Sequence, residues 1–359
     1  MSFQLCFGDQ QGRLAELTEL GDPLVRLSAL IDFEFFRPML DEVFLNPQRT
    51  HKCGRPRWDS VVMFKIMILQ ELNNLADSQT QFMINDRLSY KRFLGLDLSS
   101  PVPDAKTIWA YKNMLAMSGK SKALFDMFTA ALVEKGIVTK RGSIVDASFV
   151  DVPRQRNTRA ENNAIKNNET PEEWLGDDPK SRHKLAQKDI DARWAKKGDE
   201  THYGYKDHVK VDQDSKLIVE FAVSEASQHD SQVIVQLLDD TDRVVYADSA
   251  YVGLELHQEI KETYPNVSLR IHEKAYRNKP LSDQQKASNT EKSRIRARVE
   301  HVFGYMETSM GGPFVRCIGI VRATMSIALK NLAYNFARYA YLAKRGLAPV
   351  LTWHHGTCC

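Results

Sequence analysis

Three carboxylates stand at positions where folding can gather them. Asp146 lies inside Ile144-Val145-Asp146-Ala147-Ser148, an apolar run that reads as a strand. Asp248 ends a second short apolar run, Val244-Val245-Tyr246-Ala247, and is followed by the small residues Ser249 and Ala250. Glu300 sits in a basic helical segment, Arg296-Ala297-Arg298-Val299-Glu300-His301-Val302-Phe303. An aspartate within a strand is locally disfavoured and costly if buried unpaired, so it points to a role beyond packing. Two aspartates on neighbouring strands and a glutamate on a helix can hold two divalent cations about 3.5–4 Å apart. Hard oxygen donors select Mg²⁺ or Mn²⁺. Such a pair of ions activates a water or a 3′-hydroxyl against a phosphodiester and steadies the leaving oxygen. Taken singly, each carboxylate has an ordinary alternative: a strand-end aspartate makes a turn, and a helical glutamate pairs with a nearby arginine. Glu307 is the rival for the third ligand.

Basic residues surround these positions. From Arg270 to Arg298 there are nine Lys or Arg and three acids, a local charge of +6. That is either a polyanion-binding footprint or a solvated helix face. Lys292, Arg294, Arg296 and Arg298 belong to it, and Arg296 precedes Glu300 by four residues, on the same helix face. Lys206 and His208 alternate onto one face of a predicted strand, where they reach DNA or form a cross-strand ion pair. Arg154 and Arg156, just past Asp146, are further phosphate contacts, with Arg159 and Lys166 behind them. Asp230, after His229, reads as a helix-start residue rather than a fourth ligand. Trp109, Trp174 and Trp194 offer rings for stacking on a base, with Trp109 expected in the core.

In chain order, Ile144 to Ser148, His202-Tyr203-Gly204-Tyr205-Lys206, Tyr246-Ala247-Asp248-Ser249-Ala250-Tyr251 and Arg296 to Phe303 together resemble the DDE transposases of bacterial insertion sequences. The likeness is greatest to insertion-sequence family five, within the wider family-four-like superfamily. It extends over about 55–340, because 57–115 resembles that family's N-terminal helical domain. The resemblance implies a ribonuclease-H-like catalytic domain in which Asp146, Asp248 and Glu300 bind two Mg²⁺ or Mn²⁺ ions. It also implies cut-and-paste movement of an element through its terminal inverted repeats. The superfamily signature on the glutamate helix is Tyr, two residues, Arg, three residues, Glu, six residues, Lys. Arg296 and Glu300 match it; Ser293 replaces the Tyr and Glu307 the Lys. A carboxylate at 307 cannot hold a phosphate, which leaves Lys292, Arg294, Arg298 or Arg316 to do so.

The elements that must position these residues follow from periodicity. Residues 1–55 mix short apolar stretches with Pro23, Pro38, Pro47 and Gly54. Helical spacing begins at Asp59 and recurs over 79–94, from Asp104, and from Ser118 to Gly136, so 56–136 reads as an all-helical, DNA-binding domain. A plain helical bundle fits the same pattern. The period changes at Gly142. Strands are predicted at 143–150, 201–211, 216–223, 243–247 and 267–271, and helices at 230–238, 253–263, 288–306 and 321–345. This order predicts an α/β fold over 137–345, a mixed sheet with flanking helices. The polar stretch 153–200 reads as a functional loop, and 346–359 as a tail.

Composition sets the outer bounds. The 359 residues are 43% hydrophobic and 26% charged, an ordinary globular balance that excludes a wholly disordered chain. The formal charge of +3 and pI near 8.4 say little about partners. No apolar run reaches the ~20 residues that span a bilayer. The first residues lack a basic cap before an apolar core, so no secretory signal is expected and the chain reads as cytoplasmic, associated with the nucleoid. Five cysteines at irregular spacing suggest neither a disulfide framework nor a zinc site, and the tail His354 to Cys359 reads as a frayed end. The expected partner is double-stranded DNA, both element ends and target, bound by a homodimer that pairs two ends. Two alternatives share the residue pattern: a ribonuclease-H-fold nuclease without strand transfer, and a DNA-binding inhibitor or repressor descended from a transposase.

Overall fold

The computed structural model describes residues 7–45, 56–251, 253–273, 280–351 and 353. Lys274, Arg277, Lys279, four of the cysteines (Cys6, Cys53, Cys358, Cys359) and the histidines of the tail lie outside them.

The N-terminal region is all helix: α1 (Phe7–Glu19), α2 (Pro23–Leu30), α3 (Arg37–Phe44), α4 (Ser60–Asn73), α5 (Asp77–Asp86), α6 (Leu88–Leu94), α7 (Ala105–Ser118) and α8 (Ser121–Glu134). Its starts follow capping chemistry. Asp59 accepts from the backbone N–H of Val61 and Val62, and Asp104 from that of Thr107, each filling an N–H the first turn leaves open. The single helix expected over 79–94 is two, because Arg87 takes an extended conformation between α5 and α6.

The second half builds one mixed sheet from β1 (Ser143–Asp151), β2 (Arg193–Lys197), β3 (Glu200–Asp212), β4 (Ile218–Glu225), β5 (Val244–Ala247) and β6 (Ser268–Ile271). The strand order is β2-β3-β1-β5-β6, with β4 sharing the outer edge of β3 with β2. β1, β3 and β4 form the expected antiparallel meander, and β5 and β6 add parallel to β1. At Gly204, β3 passes from β2 to β4. A Cβ there would stand 2.3 Å from the Val150 carbonyl oxygen, and φ is +151°, so only glycine lets β3 lie this close to β1.

The remaining helices are α9 (Arg159–Lys166), α10 (Pro179–Gln187), α11 (Ile234–Leu237), α12 (Leu254–Thr263), α13 (Asp283–Ser309) and α14 (Ile320–Lys344). The helix expected over 230–238 is reduced to a short 3₁₀ turn, Asp230–Gln232, and the single turn α11. The region 153–200 is not a bare loop but carries α9, α10 and the edge strand β2. The fully buried Trp174 organises it: its indole Nε1 donates to Glu161, which also takes an ion pair from Lys184 at 2.6 Å. That burial also removes Trp174 from base stacking, whereas Trp109 is 54% exposed instead of lying in the core.

α14 ties the halves together. Phe336 on it meets Phe33, Phe36 and Phe128 of the helical region with ring centroids 5.6, 5.9 and 4.7 Å apart. One turn of the same helix grips the sheet, where Asn335 accepts from the Ile218 N–H at 2.9 Å and donates to the Ile218 carbonyl at 2.7 Å. The helical region therefore shares a hydrophobic core with the meander. No helix among the described residues is long and apolar enough to cross a membrane.

Candidate active site

β1 and β5 are parallel, with Ser143 opposite Val245 and Ile144 opposite Tyr246. Two residues further along the same register, Asp146 faces Asp248. Buried apolar neighbours fix both strands in the sheet centre, among them Val145, Val245 and Ala247. Asp146 Oδ1 accepts from the Ala147 N–H at 2.9 Å, and Asp248 Oδ1 from the Ser249 N–H at 2.5 Å. α13 opens with a capping box in which Ser282 and Gln285 exchange side-chain and backbone bonds. Its buried Val299, Val302 and Met306 seat it on the core. This seating delivers Arg296 to the two aspartates. Its Nη2 donates to Asp146 Oδ2 at 3.0 Å, and its Nη1 lies 3.5 Å from Asp248 Oδ1.

The electrostatics follow from this triangle. Burial pushes the Asp146 carboxyl above its ordinary range; Arg296 opposes that shift and Asp248 adds to it. Two facing carboxylates thus share one cation, and the local charge is still negative. Among the described residues, Arg296 Nε is buried without a partner. Tyr251, also fully buried, has a hydroxyl with no partner among the described residues. Burial and the nearby charges of Asp230, Asp146 and Asp248 raise its pKa, so it stays an O–H donor beside the carboxylates. Tyr251 closes the Tyr246 to Tyr251 block, and nothing in its spacing signals this position.

The guanidinium acts as a stand-in cation on an all-oxygen pair, and that donor set suits a hard divalent ion. Asp146 and Asp248 are the residues able to hold one. Glu300, one turn beyond Arg296, is exposed. Among the described residues no group of three His, Cys, Asp or Glu side chains stands close enough to hold an ion together. The structure therefore joins Asp146 with Asp248 and Arg296, and does not bring Glu300 into the same cluster.

The flanking basic residues divide. Lys206 pairs with Asp230 at 2.7 Å, donates to the Gln228 carbonyl and lies 5.3 Å from the Phe149 ring centre, so it is ion-paired, with a turn residue rather than across strands. Asp230 starts a 3₁₀ turn. His208 does not face solvent: it is fully buried against Ser224 Oγ at 2.8 Å, and burial lowers its pKa to about 4. Buried there in the middle of the sheet, it is not on the surface where the sequence sets it. Lys292 donates to the Ile271 carbonyl, Arg298 to the Gln213 carbonyl and Asp214, and Arg316 to Asn74. Arg294 and Arg156 are exposed, and Arg154 lies 5.7 Å over the half-exposed ring of Trp194, beside β2. Glu307 is exposed at the mouth of a small cavity shared with Ser148, Asp207 and Lys330.

The site thus pairs Asp146 on β1 with Asp248, directly after the parallel strand β5, under Arg296 of a helix that also carries Glu300. The family model for the transposase DDE domain matches residues 138–336, and a second, described as Transposase domain (DUF772), matches 13–114. The chain belongs to the DDE transposase family, enzymes that cut DNA and join strands in transposition. Among solved structures it is similar to the piggyBac transposase synaptic complex with hairpin DNA, at 9% identity and a TM-score of 0.45, over 92% of this chain and 77% of that one. It is also similar to the Mos1 strand transfer complex, at 10% identity and a TM-score of 0.19, over 86% of this chain and 98% of that one.

Proposed function

We propose that the chain is the transposase of an insertion sequence of the family-five type, binding terminal inverted repeats and moving its element by cut and paste. The observation that carries this reading is the facing pair Asp146 and Asp248, bridged by Arg296 at 3.0 and 3.5 Å. Asp146, Asp248 and Glu300 are the ligands for two Mg²⁺ or Mn²⁺ ions. Those ions, when bound, supply a Lewis-acidic centre that lowers the pKa of an attacking water or 3′-hydroxyl and offsets charge on the leaving oxygen. Arg296 holds the carboxylates in register until DNA arrives. A DNA phosphate would then offer its guanidinium a second anion, and Glu300, one turn further along α13, would complete the set of carboxylates that holds the ions. Tyr251, buried near the aspartates, limits water around them. Arg294, Arg154 and Arg156 contact phosphates, and the helical region 56–136 recognises the element ends. Two copies pair two ends at the nucleoid.

Asp146→Asn and Asp248→Asn test this reading in an assay with DNA carrying the flanking element ends. Each should abolish cleavage and leave DNA binding within about twofold of the wild type. Cleavage that survives both substitutions would overturn the site.

A further inference from the structure

A cavity of about 350 Å³ lies away from the carboxylates, where α4, α5 and α7 meet the segment joining α13 to α14. Its contents are unusual for a seam between helices. Trp109 stands in its wall with its indole 54% exposed. Arg316 and Arg322 enter from the other side with neutral partners: Arg316 donates to Asn74 Oδ1 and lies over the Phe314 ring, and Arg322 donates to Asn113 Oδ1 and the Ile318 carbonyl. Lys112 pairs with Asp77 at 3.0 Å. Gln70, 2% exposed, spends its Nε2 on Asp77, and its buried Oε1 has no partner among the described residues.

Two carboxylates also line the cavity, Glu71 taking the Ser326 hydroxyl at 2.7 Å and Asp77 held by Lys112 and Gln70. Beside them an exposed indole, two guanidiniums bonded to neutral groups and a buried orphan acceptor are complementary to one molecule that has a flat π-face, an anionic group and an N–H donor. We propose that this cavity takes one unstacked nucleotide of a bound DNA strand. Its base stacks on Trp109, a base N–H donates to Gln70 Oε1, and its phosphate lies against Arg316 and Arg322. The inference rests on DNA being the substrate. The position suits that substrate: Phe314 in the cavity wall bridges to Asp151 at the far end of β1. Five residues of strand separate Asp151 from Asp146, about 17 Å at ~3.3 Å per residue. That span is two or three nucleotides of extended single strand, so one strand can reach both places.

The test titrates the full chain into a short single-stranded oligodeoxynucleotide containing 2-aminopurine, without metal. Stacking on Trp109 should quench the probe. Trp109→Ala should remove the quench and weaken binding about tenfold, while Trp109→Phe keeps most of both. Arg322→Gln should weaken binding and lower the salt dependence by about 0.7 of a counterion. Unchanged quench and affinity in Trp109→Ala and Arg322→Gln would overturn the proposal. So would deoxyadenosine monophosphate competing as well as the oligonucleotide, since that marks a free-nucleotide site. The same variants in the cleavage assay separate the two readings. If DNA is bound and cut but Trp109→Ala changes neither, the nucleotide pocket alone falls; if the wild type neither binds nor cuts DNA, the transposase reading falls with it.

Discussion

Removing the guanidinium from the aspartate pair has two opposite consequences that one titration can read. In Arg296→Gln, Asp146 and Asp248 face each other without a cation. Breaking a fully buried pair costs about 3–5 kcal/mol. Here the side chains of Arg296, Asp146 and Asp248 are 20%, 23% and 44% exposed, so solvent screens the loss. A cost of about 2 kcal/mol is expected. With an unfolding entropy of about 2.1 cal/mol/K per residue over 359 residues, Tm should fall by about 3 °C. The same substitution vacates an anionic oxygen pair, so millimolar Mg²⁺ or Mn²⁺ should raise the Tm of the variant by at least that amount and move the wild type less. Thermal unfolding with and without the ion measures both effects. A variant as stable as the wild type, or one with the same response to the ion, would refute the idea that Arg296 is the resident counter-charge of the pair.

Asp207 is fully buried, and burial raises its carboxyl to about 7 against the opposing Asn331 bond and Lys330 charge. The folded state holds its proton where the unfolded state has lost it, so stability should fall as pH rises from about 4 through about 7, by about 4 kcal/mol at most. Asp207→Asn should therefore match the wild type near pH 4 and exceed it in urea unfolding at pH 8; a pH-independent difference would contradict the assignment. Arg294→Ala, on the exposed face of α13, should weaken duplex binding equally across sequences and reduce the salt slope by about 1, as read from binding isotherms at several salt concentrations. Gly204→Ala should yield little folded protein by circular dichroism, because its Cβ has no room beside Val150.

The strands beside the aspartates were legible because each holds a short apolar run, Ile144-Val145 interrupted by Asp146 and Val244-Val245-Tyr246-Ala247 ended by Asp248, and sheet topology then follows from the order of elements. β2 was not, since Arg193-Trp194-Ala195-Lys196-Lys197 is an edge strand whose polar side chains carry no alternation. Order in 153–200 depends on Glu161, Trp174 and Lys184 meeting across 23 residues, a tertiary event that leaves no periodic trace. Alternation correctly set Lys206 and His208 on one face, but could not tell that the face is covered. The spacing of Arg296 and Glu300 showed a shared helix face; that Arg296, not Glu300, reaches the aspartates depends on how α13 lies over β1 and β5.

The role of Glu300 is the link on which the proposed chemistry turns, and strand transfer tests it most directly. Wild type and Glu300→Gln would be incubated with DNA bearing both flanking element ends, in Mg²⁺ or Mn²⁺, and the joined products counted. Joined products with the wild type and none with Glu300→Gln, at equal DNA binding, are expected. Undiminished joining by the variant would contradict the three-carboxylate site. Cutting without joining by the wild type would mark a nuclease, and tight binding with no cutting in either metal a DNA-binding inhibitor or repressor.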